Sequence, residues 1–298
     1  MPNYISLDTW ALQRYTFDEW APRLSKYLRA EDLTILLTSF LLVELFSPDW
    51  QQAPKGDKNA AVSRFLSQHQ YVIVDPSHVF RSEMRSYPAM LAHLPVELSS
   101  ESIPSIERGE VLLRFLRRDP VFLEQGKDIE LWAAEYRAQK DGWLDVAQRI
   151  LDAAYSDGKL IKGRDGKPLS SDKCKEPFLQ YLDLRHLGSF TSEEREALGP
   201  NIIDLCLGGT AQLPAVRCTS LSLWYSYVEI DPAFTMKYRG SDIGDYLQMS
   251  LMPYCAVYVA DKAMARIASR VLTSLPCTCE VHYQATLDER LMSYTCGS

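Results

Sequence analysis

The chain has 298 residues, of which 46% are hydrophobic and 24% charged. That is the balance of a folded globular protein long enough to bury a large core, and it excludes disorder along the whole length. A formal net charge of −7 excludes broad electrostatic coating of nucleic acid but leaves a local phosphate-binding groove open.

The opening "MPNYISLDTW" carries neither the basic stretch nor the apolar run of a signal peptide. The most apolar segment, "LTILLTSFLLVELF", is 14 residues long and contains Glu44, too short to span a bilayer. The expectation is a cytoplasmic protein without a membrane segment. "NYISL" predicts a strand, "TFDEWAPRLSKYLRA" an amphipathic helix capped by Thr16, and "TILLT" a second strand. The apolar "SFLLVELF", a helix around "DKNAAVSRFLSQH" and a third strand "YVIVD" follow. Strands alternating with helices indicate parallel pairing through right-handed crossovers.

From Pro88 to Thr235 helical periodicity dominates, as in "RGEVLLRFLRRD" and "DIELWAAEYRAQKDGWLDVAQRILDAAYSDG", with an exposed loop at "SDGKLIKGRDGKPLSSDKCKEP". This segment, 88–235, is expected to be a helical insertion that packs against one edge of the sheet without adding central strands. The rhythm then resumes in 236–298. "SDIGDYLQMSLMPY" predicts a helix, "CAVYVAD" a buried strand, "KAMARIASRVLTSL" a helix and "CEVHYQ" a last strand. Residues 1–87 and 236–298 are thus expected to complete one sheet, with "CAVYVA" beside "YISL" at its centre.

Ligands of open α/β sheets sit beyond the carboxyl ends of the strands. Asp8 follows the first strand, and Asp261 follows "CAVYVA". Glu44 interrupts an apolar helical run, where an unpartnered carboxylate would be costly to bury. Asp242 and Asp245 open the helix that leads into "CAVYVA", one turn apart. Each aspartate has a structural alternative as a helix N-cap or first-turn acid. Converging carboxylates repel, and a divalent cation relieves them. All-oxygen donors suit Mg²⁺ or Mn²⁺ rather than Zn²⁺.

The order "LDTW", "LLVELF" and "SDIGDYLQMSLMPYCAVYVADKAM" resembles the PIN-like nucleases, especially bacterial members with an aspartate pair, "PY" and a strand ending in "(T/A)DK". The resemblance covers roughly 3–85 and 238–285. It implies a three-layer α/β/α sandwich with a central parallel sheet, interrupted here by the insertion, and metal-dependent hydrolysis of phosphodiester bonds, usually in RNA. It makes Asp8 the acid of the first strand, Glu44 the helix acid, Asp242 or Asp245 the third and Asp261 the fourth. The expected substrate is RNA, single-stranded in preference to duplex, with DNA left open. A protein partner or oligomer would engage the insertion. The alternative is a scaffold that keeps the fold without the chemistry, a reading to which Ala260 contributes, since many relatives carry a hydroxyl residue there.

Arg81, Arg85 and Lys262 are the phosphate-contact candidates by strand-end logic, ahead of "RFLRRD" and the lysines of the exposed loop, which read as solvated faces. A haloacid dehalogenase-type phosphatase would need a second Asp two residues after Asp8, where Trp10 stands. A receiver domain has no place for Glu44 or a long insertion. The seven cysteines, with only Cys277 and Cys279 close together, read as free buried thiols.

Overall fold

A computed structural model of the protein describes residues 3–45, 55–86, 104–117, 130–132, 134–135, 138, 213–227, 242–275 and 277–294. Largely apolar runs give the first four strands, because the middle of a parallel sheet is buried on both faces, while the last strand, at the edge, reads "EVH" and is only partly buried. The strands are β1 (Asn3–Leu7), β2 (Leu33–Thr38), β3 (Tyr71–Val74), β4 (Val257–Val259) and β5 (Glu280–His282). All pair in parallel in the order β3-β2-β1-β4-β5. β1 therefore lies in the centre, with Ile5 opposite Val257 and Leu7 opposite Val259. The chain winds outward through β2 and β3 to one side and through β4 and β5 to the other. The crevice between the ends of β1 and β4 is a topological switch point.

Side-chain alternation splits the core into two. Ile5, Leu7, Ile35, Leu37, Ile73, Val257 and Val259 face one layer, which contains α1 (Thr9–Tyr15), α2 (Trp20–Ala30), α4 (Lys55–Leu66), α6 (Pro104–Leu116) and α10 (Gln284–Met292). Leu36, Val74, Tyr258 and Ala260 face the other, built from α5 (Pro76–Ser86), α7 (Pro214–Tyr227), α8 (Asp242–Met249) and α9 (Lys262–Leu272). Helices thus cover both faces of the sheet. α3 (Ser39–Leu45) sends Leu41, Leu42 and Leu45 into the first core and Phe40 toward the second.

Two expectations are corrected. Thr16 does not start the second helix. It ends α1, donating its hydroxyl to Leu12 O, and Asp18 at φ 49° breaks the chain before α2 begins at Trp20. Within the segment read as an insertion, α6 and α7 pack on opposite faces of the sheet rather than against one edge. The boundaries at 87/88 and 235/236, and most of the intervening segment, lie outside the described residues.

α7 shows why burial there needs no amphipathic pattern. Ala215, Val216, Cys218, Thr219, Ser220, Leu221 and Ser222 are all buried. The hydroxyls of Thr219, Ser220 and Ser222 donate to the carbonyls four residues back, at 3.1, 2.8 and 2.6 Å, so the polar groups are satisfied locally. The N-terminus of α7 is held by a residue of another helix. Glu83, fully buried on α5, accepts from Ala215 N at 2.8 Å and Val216 N at 3.0 Å, and from the Tyr254 hydroxyl at 2.5 Å. Burial pushes its carboxyl up to about 7, although all three donors pull it down. Cys218, Cys255, Cys277 and Cys279 are free thiols packed in or against the same core. Among the described residues no helix is long and apolar enough to cross a membrane.

Candidate acidic site

Two strand ends repeat one local design. After β1 the backbone of Asp8 stays extended (φ −71°, ψ 174°) and its Oδ1 accepts from Ala11 N at 2.9 Å, capping α1. After β4 the backbone of Asp261 does the same (φ −60°, ψ 165°), and its Oδ1 accepts from Ala263 N at 2.7 Å and Met264 N at 2.9 Å, capping α9. A short side-chain oxygen at the first free N–H groups of a helix is what each terminus requires. Because β1 and β4 are parallel neighbours, the two caps stand side by side. The backbone N–H of Asp261 lies close enough to the Asp8 carboxylate to favour its ionised form.

The remaining acids arrive from the helices. Gln248 Nε2 donates to Ser6 Oγ at 3.2 Å, tying α8 to β1. Asp245 lies three residues earlier on the same helix, and its charge acts on both Asp8 and Tyr258. Glu44 is turned away from the apolar face of α3, and the Thr9 hydroxyl donates to its Oε2 at 2.8 Å. Its Oε1 lies over Gly244, where an added Cβ would fall 2.6 Å away. Glu44 thus bridges the start of α1 and the first turn of α8. Its carboxylate in an apolar run is explained by these contacts.

Asp8 is only 7% exposed. Burial drives its carboxyl well above the usual carboxylate range, and the charges of Asp245 and Asp261 push in the same direction, while the N–H groups of Ala11 and Asp261 oppose them. The buried phenol of Tyr258 is likewise raised, first by burial and then by Asp245 and Asp8. Asp8, Asp245 and Asp261 therefore share one electrostatic environment at the switch point, with Glu44 at its flank.

Asp242 is the first residue of α8; its side chain, like those of Arg81 and Arg85 on α5, lies outside the described residues. Lys262 is exposed at the first position of α9, next to Asp261. Arg114 and Arg117 of the "RFLRRD" run act on the Tyr71 phenol, at the start of β3, which is the end of the sheet opposite the acids. Arg118 and the basic residues of the exposed loop lie outside the described residues.

Among the described residues no group of three or more His, Cys, Asp or Glu side chains is already gathered as a set of metal ligands. By donor chemistry the site nevertheless suits a hard divalent cation. Its donors are carboxylate oxygens, and each aspartate cap has a second oxygen not used in the capping bonds described above. A cation would relieve the mutual repulsion that raises Asp8.

Comparison with protein-family models, with curated proteins and with solved structures found no match. Sequence reasoning missed Glu83, whose neighbours "FRSEMRS" look like a solvated helix face, and Trp10, which lines a cavity beside Asp261.

Gly244 gives a direct test of how Glu44 is held. Gly244→Ala should leave stability unchanged or raise it by up to about 1 kcal/mol through helix propensity. The clash falls on the mobile end of Glu44, so the carboxylate is displaced. Thermal melts should report an intact fold, while any metal response that depends on Glu44 falls.

Proposed function

We propose that this protein is a PIN-like, metal-dependent nuclease that hydrolyses phosphodiester bonds in single-stranded RNA. The observation that carries the reading is Asp8, buried at the switch point and held well above the usual carboxylate range by burial, Asp245 and Asp261. A buried carboxyl facing two further carboxylates beyond the strand ends is costly to maintain and is a recurrent mark of a functional site. The parallel order with β1 and β4 at the centre and the resemblance of the flanking motifs support the same reading.

Asp8, Asp261, Glu44 and Asp245 or Asp242 would hold Mg²⁺ or Mn²⁺. The ion, when bound, lowers the pKa of a water and offsets charge on the phosphate oxygens. The chain's own part is positional. The caps fix Asp8 and Asp261 by their Oδ1 atoms, Thr9 fixes Glu44, and the bond between Gln248 and Ser6 fixes the helix carrying Asp245. Lys262, exposed at the first position of α9, would pair with a substrate phosphate.

A second reading has its own support. Asp8 and Asp261 both serve as helix caps, and no ligand set is gathered among the described residues, as expected of a scaffold without catalysis. One experiment separates the two. Purified protein is incubated with labelled single-stranded RNA in EDTA, Mg²⁺ and Mn²⁺, and melted in the same buffers. The nuclease should cleave only with metal and should gain thermal stability on adding Mn²⁺ by mass action. Absence of both effects would establish the scaffold reading.

A further inference from the structure

A cavity of about 450 Å³ opens beside the acidic site, lined by Trp10, Asp261, Lys262, Tyr283, Gln284 and Asp288. Its walls come from three consecutive strand ends. Trp10 is in the first turn after β1, Asp261 and Lys262 follow β4, and Tyr283 and Gln284 follow β5. The volume falls within the roughly 300–1,000 Å³ of ordinary small-molecule sites.

The chemistry of the lining is selective. Two aromatic side chains, Trp10 and Tyr283, share it with one exposed cation, Lys262. Of its two carboxylates, Asp288 is already engaged by Arg14 at 3.1 Å and by the Tyr15 hydroxyl at 2.8 Å. A ligand with a flat π-face and an adjoining anion would meet the aromatic and cationic features of this lining.

We propose that this cavity receives one unpaired nucleobase of the substrate strand, stacked on Trp10 or Tyr283, with the neighbouring phosphate on Lys262. The assignment rests on the nuclease reading and adds to it a mechanism for strand selection. A base in a duplex cannot leave its stack without an unpairing cost, whereas a single-stranded base enters freely. The site therefore discriminates by strandedness, and its tolerance for base identity follows from stacking, which every base offers.

The test is binding rather than turnover, with Asp8→Asn protein so that RNA survives. Affinity is measured by fluorescence anisotropy for a short labelled oligoribonucleotide, its duplex, and a series with one abasic position moved along the strand. Adding Trp10→Leu should weaken single-strand binding about tenfold, as base stacking on an aromatic is worth. One abasic position should weaken the parent to the same extent, and at that position Trp10→Leu should cost nothing more. Because Trp10 also packs against the core, Tyr283→Ala is measured in parallel and melting curves are recorded for both. Equal affinity of parent, Trp10→Leu and Tyr283→Ala for single strands, or equal losses on every abasic strand, overturns the proposal. Should wild type fail to cleave RNA with Mn²⁺ while the abasic cycle holds, the nuclease reading fails and the base site stands. Cleavage with no aromatic dependence of binding gives the reverse.

Discussion

Asp8→Asn should lower the proposed RNA hydrolysis by about a thousandfold or more, since on that reading a metal ligand is lost and several kcal/mol of charge stabilisation with it. The fold should survive, for asparagine caps a helix about as well as aspartate. Without metal the variant should melt at the same temperature as wild type or higher, because a buried charge facing Asp245 and Asp261 is gone. Its Mn²⁺-induced gain should shrink toward zero. Asp8→Ala separates charge from cap by losing about 1 kcal/mol of cap stabilisation as well. The pH profile follows with a definite sign. The folded state keeps the Asp8 proton to higher pH than the unfolded chain does, so wild-type stability without metal falls as pH rises from the ordinary carboxylate range toward the raised value. Asp8→Asn should remove that part of the slope. Asp8→Asn protein that melts as wild type does in EDTA and gains as much from Mn²⁺, while Asp8→Ala melts lower, would show that Asp8 serves only as a cap.

The second large effect is on stability. Glu83→Ala removes the acceptor for Ala215 N, Val216 N and the Tyr254 hydroxyl, all in the interior. With unpaired buried donors at about 1–3 kcal/mol each, the loss should be about 3–5 kcal/mol after relaxation. Glu83→Gln should fall between, since its amide nitrogen faces an N–H where an oxygen stood. Wild-type Glu83 is raised to about 7. Its contribution is therefore most favourable below the ordinary glutamate value near 4.3 and declines as pH rises through about 7, beyond which it is constant. Urea midpoints near pH 5 and pH 8 should differ in that direction for wild type, and less for Glu83→Gln. A flat profile in both proteins would mean that the three donors hold Glu83 ionised throughout.

The sheet was legible because its strands announce themselves. "NYISL", "TILLT" and "YVIV" are short apolar runs between turn-forming residues, and in the fold each begins and ends within a residue of that reading. The pairing of β1 with β4 was legible for a different reason. Both end in buried residues and are followed within two residues by an aspartate, which suits one end of one sheet. What could not be read depends on partners remote in sequence. α7 is buried on nearly every side and rich in serine and threonine, so it has no polar face for periodicity to detect. Glu83 acquires its role from a helix that starts at Pro214. Of the acidic site, the positions of Asp8 and Asp261 followed from strand ends alone. The fastening of Glu44 by Thr9 and Gly244 required the packing of α3 between α1 and α8.

The central pair of strands has a consequence for how the protein comes into being. β1 can pair with β2 once residues 33–38 have been made, but its other edge waits for β4, with Ile5 finally meeting Val257. Until then the emerging chain carries an unsatisfied edge in the middle of its future sheet, and closing it requires contact between strands far apart in sequence. Folding should be slow and prone to self-association during that interval, with a demand for chaperones set by the time taken to translate the intervening residues. Asp8 and Asp261 cannot meet before β4 docks. Any activity built on them waits for β4 to dock, and products terminated before it are inert.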